Sequence, residues 1–172
     1  MKIASLKFGE EEPSFYDAQI DNDATILYTD EKGDLHREDG PAIEWINGGR
    51  AWYAHGKLHR VDGPAIEYAD GTKMWYQNDR LHREGGPAIE YANGDKEWYA
   101  NGKRHREGGP AIEYADGSKE WWVNDKAHRL DGPAVEMANG AKRWYVNNKL
   151  IGRSKKGFTQ EKFERWKKEH GF

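Results

Sequence analysis

A strict period of 23 residues governs this chain. His36, His59, His82, His105 and His128 are each followed by an arginine, and each repeats at the same interval. Gly-Pro-Ala recurs at 40–42, 63–65, 86–88, 109–111 and 132–134. Glu44, Glu67, Glu90, Glu113 and Glu136 keep the register, as do a glycine at 48, 71, 94, 117 and 140 and Trp52, Trp75, Trp98, Trp121 and Trp144. Five such units cover 36–150. Each is a supersecondary unit too small to bury its own rings, so neighbours must stack to make a core.

The unit has two turn signals and no helix-length segment, so it reads as two β-strands. The pairs His55-Gly56, Asn78-Asp79, Asn101-Gly102, Asn124-Asp125 and Asn147-Asn148 suit a type I′ hairpin, which needs positive φ at both central residues. That turn sets Trp98 opposite His105, Glu97 opposite Arg106 and Glu120 opposite Arg129. The other turn, Ala-Asp/Asn-Gly in most units, is expected to be a three-residue loop with a G1 bulge. The alternative two-residue loop would put Glu90 opposite Glu97 and Glu113 opposite Glu120, like charge on like. The bulged register instead sets Glu44 against Arg50, and Glu67, Glu90, Glu113 and Glu136 against Lys73, Lys96, Lys119 and Lys142, with an ion pair in every unit. It also places Ala65 against Trp75. The repeated Gly-Pro must bend the chain, because proline cannot donate to a ladder.

Composition fits a thin core. Leu, Ile, Val and Phe together supply only 25 of 172 residues, whereas Trp and Tyr supply 17 large rings and the net charge is −3. No apolar run reaches the ~20 residues of a membrane span. Without cysteine, disulfides and Cys-ligated metals are excluded. A general nucleic-acid binder would carry a basic excess. The N-terminus lacks a long apolar stretch, so no secretory signal is expected, and the cytoplasm of the producing or host cell is the expected location.

The ends read as caps. Residues 1–25 form an N-terminal cap expected to consist of strands, and 26–152 hold the hairpin repeats, with Ala24 to Leu35 as a degenerate half-unit. The period stops where Ile151-Gly152 replaces His-Arg. Residues 153–172 are a basic linker and a capping helix over 160–169, with Thr159 as N-cap, Phe163 and Trp166 on one face and Gly171 just past the end.

The segment Asn101-Gly102-Lys103-Arg104-His105, followed by Tyr114-Ala115-Asp116-Gly117-Ser118, resembles the MORN repeat, a β-hairpin unit of the same length with a Gly-Lys-x-His turn and a Tyr-x-Asp-Gly turn. Where MORN has Gly-x-Gly after the histidine, this chain has Arg-x-x-Gly-Pro-Ala. The resemblance therefore points to a divergent, bacterial or phage-type variant similar to toxin–antitoxin components. It implies an all-β, elongated single-layer antiparallel β-hairpin repeat array used for protein contact, without a catalytic site or cofactor. The net charge gives little support to lipid binding.

Candidate sites emerge from the ladders. Equivalent histidines two strands apart lie ~10 Å from each other, too far to share a metal whose ligands sit at ~2 Å. His36, His59, His82, His105 and His128 are therefore read with the five Trp residues as a structural ladder, with His packed on Trp. Protonation near about pH 6.5 could then alter it. Charged pairs repeated in every unit read as scaffold, and Asp17, Asp21 and Asp23 as a polar turn. The arginine row (Arg37, Arg60, Arg83, Arg106 and Arg129) reads as an open face. It lies beside positions 51, 74, 97, 120 and 143, which vary from unit to unit and are expected to be exposed. With Tyr53, Tyr76, Tyr99, Trp122 and Tyr145, that row is the candidate partner-binding surface. The expected function is non-enzymatic recognition of a protein partner, as an inhibitor, antitoxin or adaptor. The alternative is a small-ligand or glycan binder using its ladder of rings, and the sequence leaves oligomeric state open.

Overall fold

In a computed structural model, which describes residues 2–4, 15–21 and 25–172, the chain is mostly β, with one short C-terminal helix. It divides into two compact units, one ending at His82 and the other running Arg83–Phe172. The repeated antiparallel hairpins are consistent with a MORN-like repeat.

The first unit contains an antiparallel ladder of Lys2–Ala4, Phe15–Ile20, Ile26–Thr29, Ile43–Glu44, Arg50–Ala51, Ile66–Glu67 and Lys73–Met74, each paired with the next. In the second, Ile89–Glu90, Lys96–Glu97, Ile112–Glu113, Lys119–Glu120, Val135–Glu136, Lys142–Val146 and Lys149–Arg153 form an equivalent ladder. Beside the ladders stand separate two-stranded hairpins, among them Tyr53–Ala54 with Lys57–Leu58 and Trp122–Val123 with Lys126–Ala127.

Most repeats thus contain four short strands rather than the expected two. The tryptophan is the joint. Trp98 N–H donates to Ala111 O in the ladder at 2.8 Å, while Trp98 O accepts from His105 N–H in the side hairpin at 3.1 Å. Trp52 and Trp121 do the same with Ala65 and His59, and with Ala134 and His128. Because each backbone serves two sheets, the strand cannot continue straight through. Trp98 and His105 do meet, but the predicted facing of Glu97 with Arg106 and of Glu120 with Arg129 fails. Glu97 lies between Ile89 and Ile112, and Glu120 between Ile112 and Val135.

Both turns form as the sequence requires. The I′ pairs have positive φ throughout, for example 49° and 63° at Asn78 and Asp79. In the other turn, Gly71 N–H donates to Tyr68 O at 3.0 Å with φ of 92°, the left-handed geometry of a G1 bulge. The expected register results: Glu44 faces Arg50, and Glu67, Glu90, Glu113 and Glu136 face Lys73, Lys96, Lys119 and Lys142.

Ala42, Ala65, Ala88, Ala111 and Ala134 are fully buried, and Ile66, Ile89, Ile112 and Val135 nearly so. Consecutive strand residues point to opposite faces, so both faces of each ladder contribute to the core. The upstream half-unit obeys the same rule, with Tyr28 in the tryptophan's place: His36 N–H donates to Tyr28 O at 3.0 Å.

At the C-terminus, the helix Gln160–Glu169 starts at Thr159, whose Oγ1 accepts from Lys162 N–H. Phe163 is completely buried against Trp144 and Val146, with Ile151, Phe158 and Trp166 around them. Full burial of one such side chain contributes roughly 1.5–3 kcal/mol. Lys167 Nζ also donates to Leu130 O at 2.7 Å, tying the helix to the last Arg-x-Asp-Gly-Pro loop. Among the described residues no helix is long and apolar enough to cross a membrane. Asp21 Oδ1 accepts from Thr25 N–H, a turn bond; Asp23 lies outside the described residues.

Candidate functional site

The arginines that the sequence places on an open face are half-buried and bonded internally. Arg37, Arg60, Arg83, Arg106 and Arg129 each donate through one terminal nitrogen to the carbonyl of the proline four residues on. The same nitrogen meets the glutamate seven residues on, at 2.7–3.5 Å. These glutamates are therefore held by arginine and not, as expected, by the facing basic residue of the hairpin. Within each unit the guanidinium carbon also sits over an aromatic ring of the preceding repeat. Arg37 covers Tyr28 and Arg60 covers Trp52, and in the other unit Arg106 covers Trp98 and Arg129 covers Trp121, at 3.9–4.0 Å. The charge is thus clamped between a ring, a carbonyl and a carboxylate. Burial opposes the charge of Arg37, but its bonds to Asp39 and Glu44 and the nearby Tyr28 outweigh it and raise the pKa.

The histidines are also structural, through a contact the sequence does not reveal. His36 Nδ1 and His128 Nδ1 accept the N–H groups of His55 and Asn147, the first turn residues of the next hairpin, each at 3.2 Å. His36 stacks on His55, with centroids 4.2 Å apart, and His55 Nδ1 meets Asp30 Oδ2 at 3.2 Å. Burial, then the neighbouring His55, push the His36 pKa down against the upward pull of Glu38 and Asp30. Nδ1 of His59 and His105 is buried without a hydrogen-bond partner. Among the described residues no group of three or more acidic or histidine side chains is placed to hold a metal.

Neighbouring hairpins are held by the second turn residue. Asp79 and Asp125 accept the N–H groups of Leu58 and Arg104 through Oδ1, and their own N–H groups donate to the carbonyls of the same two residues.

The positions that vary between repeats behave differently from expectation. Ala51 is fully buried, and the Glu97 side chain is only 12% exposed. They lie next to the tyrosines. Glu97 accepts from Tyr99 at 2.8 Å, Tyr91 at 3.2 Å and Arg104 Nε at 3.0 Å. Glu120 takes Trp122 Nε1 at 2.9 Å and Tyr114 at 3.5 Å. Burial, then the bond to Glu97, push the Tyr99 phenol well above its ordinary pKa, and burial followed by nearby carboxylates raises Tyr91 and Tyr114. All three phenols therefore stay protonated donors. Arg104 stands where other repeats have leucine or alanine, and balances the glutamate seven residues before it.

The matching positions of the first unit are uncharged. Trp45 stacks on Tyr68 with centroids 6.1 Å apart, and Tyr68 is 45% exposed. Burial raises the pKa of Tyr53 and Tyr76, helped by proximity to Tyr68. Of the predicted residues, Tyr53 and Tyr76 thus lie near Tyr68, while Arg104 reaches over Tyr99 and Trp122 at 5.7 and 5.8 Å. Tyr145 is half-buried in the terminal hairpin. Sequence reasoning missed Trp45, Tyr68, Tyr91, Tyr114 and Arg104, although each sits at a fixed repeat position that could have marked it.

Open clefts occur between successive Arg-x-x-Gly-Pro loops, one of about 440 Å³ lined by Arg37, Trp52 and Arg60 and one of about 510 Å³ lined by Arg106, Trp121 and Arg129. Recurrence at equivalent places marks them as products of the repeat. No family model matches this chain, and no curated protein matches it.

Proposed function

We propose that the chain is a non-enzymatic repeat scaffold that recognises a protein partner through its β-surface, acting in the cytoplasm as a bacterial or phage-encoded inhibitor, antitoxin or adaptor. The observation that carries this reading is the contrast between invariant and variable positions. The side chains of the invariant arginines and glutamates are bonded within the fold. The variable ones tune faces rich in Tyr, Trp, Met and Arg, residue types favoured in protein interfaces. Tyr68, Tyr114 and Met137 remain substantially exposed there. The glycan alternative is less favoured, because one face of Trp52, Trp98 and Trp121 is already taken by arginine. The test is capture from the source or host cell with the full chain and with a Tyr68→Ala, Tyr114→Ala double variant of unchanged circular dichroism. One protein retained by the parent and lost by the variant supports the reading; identical retention overturns it.

A further inference from the structure

The five Arg-x-x-Gly-Pro loops are not chemically equal: three carry aspartate two residues after the arginine, and those of Arg83 and Arg106 carry glycine. In Arg37-Glu38-Asp39, Arg60-Val61-Asp62 and Arg129-Leu130-Asp131, the aspartate two residues on closes back on the arginine. Its Oδ1 accepts from Nε at 2.9, 3.1 and 2.8 Å. The bond to arginine is the first cause lowering the pKa of Asp62 and Asp131. In Arg106-Glu107-Gly108 the aspartate is replaced by glycine. Arg106 keeps its Pro110 carbonyl, Glu113 carboxylate and Trp98 ring. Among the described residues, its Nε–H has no carboxylate partner.

Two further observations show an opening at this place. The Arg106 side chain is 31% exposed, against 21%, 23% and 20% for Arg37, Arg60 and Arg129. A Cβ built at Gly108 meets nothing within 4 Å, although the backbone there is left-handed, with φ of 72°, unlike that of Asp39, Asp62 and Asp131. Glu107, the nearest acidic residue in sequence, points to His105 instead, at 3.9 Å. The edge of Arg106 also lines the 510 Å³ cleft.

We infer that the 106–110 loop is a carboxylate-accepting site, in which an Asp or Glu side chain from an acidic segment of the partner takes the position that Asp39, Asp62 and Asp131 fill in their own loops. The sister loops identify the occupant: a side-chain carboxylate, approaching Nε while the other guanidinium edge stays clamped. A guanidinium already held on three sides loses little side-chain entropy on accepting it. The inference rests on the reading of this protein as a recognition scaffold and supplies the chemistry of one contact.

The test is an NMR titration of the arginine Nε–H signals of the full chain, with a short oligo-aspartate peptide as probe and acetate as a second arm. The expected result is movement of the Arg106 signal with Arg37, Arg60 and Arg129 unmoved. Gly108→Asp should abolish the movement, while Asp131→Gly should create it at Arg129. The gain at Arg129 keeps the test decisive if Gly108→Asp fails to fold. Equal movement of Arg106 and Arg129 in the parent chain, no movement, or Arg129 still silent in Asp131→Gly would overturn the site. Acetate acting as strongly as the peptide would also overturn it, by reducing the site to a general anion contact. No native partner is needed, so a blank titration rejects this site without deciding capture by the tyrosine faces.

Discussion

The repeat centred on Trp121 and the terminal hairpin built on Trp144 begin alike and end differently. Both run from Ala and Ile or Val through glutamate, a G1 turn, lysine and tryptophan to an asparagine-led I′ turn. After that turn, the internal repeat places His128 against Trp121 O and then leaves the hairpin, so that Arg129 can fold back over the Trp121 ring. The terminal hairpin has Ile151-Gly152 instead. The strand Lys149–Arg153 continues, Trp144 pairs with Gly152, and a bulge between Trp144 and Tyr145 absorbs the offset. Phe158 meets Trp144 edge-on at 5.3 Å, and Gln160 accepts from its Nε1 at 3.0 Å. Trp144 is 3% exposed, whereas Trp121 stays half-buried. The tryptophan face is covered in both regions, and the kind of cover decides how the chain continues. An arginine cover turns the chain into another repeat; a phenylalanine cover ends the series.

The comparison breaks first at the helix. Phe163→Ala removes the fully buried ring beneath Trp144 and should cost about 3–5 kcal/mol. Urea unfolding would read this, with hydrogen exchange rising over 142–169 and little change before 127. Uniform destabilisation along the second unit would show that the terminal hairpin is not a separate structural solution. Gly152→Ala comes next. A Cβ at this position runs into the Phe158 ring, so the ring must leave Trp144, at a cost of about 1–3 kcal/mol. Thermal melting and tryptophan fluorescence would detect it. Arg129→Met keeps a long side chain over Trp121 but loses the bonds to Asp131, Pro133 and Glu136. About 1–2 kcal/mol should be lost, measured by the same melts. A loss well under that would mean that the ring stacking, which the thioether can partly replace, holds the loop.

The smallest effect concerns pH. The folded pKa of His36 lies below its ordinary value, so the unfolded chain binds its proton more readily. Stability from neutral His36 is present above about pH 6.5 and is lost as pH falls toward the folded value. Protonation also removes the Nδ1 acceptor of the His55 amide. The protection factor of that amide, its exchange rate set against the intrinsic rate at each pH, should fall on acidification. A protection factor that stays constant from pH 8 to pH 5 would refute this role.

Much of the fold was legible because its instructions are local. Asn124-Asp125 can hardly do anything but an I′ turn between strands, and like-charge avoidance at Glu113 and Glu120 was enough to choose the bulged register. Thr159, Phe163 and Trp166 announced the helix in the same way. The candidate surface was less legible because it depends on where the chain goes after each turn. Arg106 could be assigned to Glu97 by strand counting; its real partners, Glu113 and Trp98, meet it only once the Gly109-Pro110 bend has formed. His128 reaches a turn amide of the next hairpin, a relation no pair of neighbouring letters displays. Variation at position 51 or 97 suggested exposure, yet Ala51 fills a tight space and Glu97 is held by two phenols and a guanidinium.

The two-sheet joint at each tryptophan has a consequence for how such a gene can change. Its hydrogen bonds, and those of His36 and His128 to the next turn, pass between consecutive cassettes. Gain or loss of one complete cassette leaves the donors of the tryptophan joint with equivalent acceptors in the new neighbour. A partial insertion would strand them at the junction. Unequal recombination in whole-repeat steps is therefore the length change this architecture tolerates, and repeat number becomes a heritable dial on the area the protein presents.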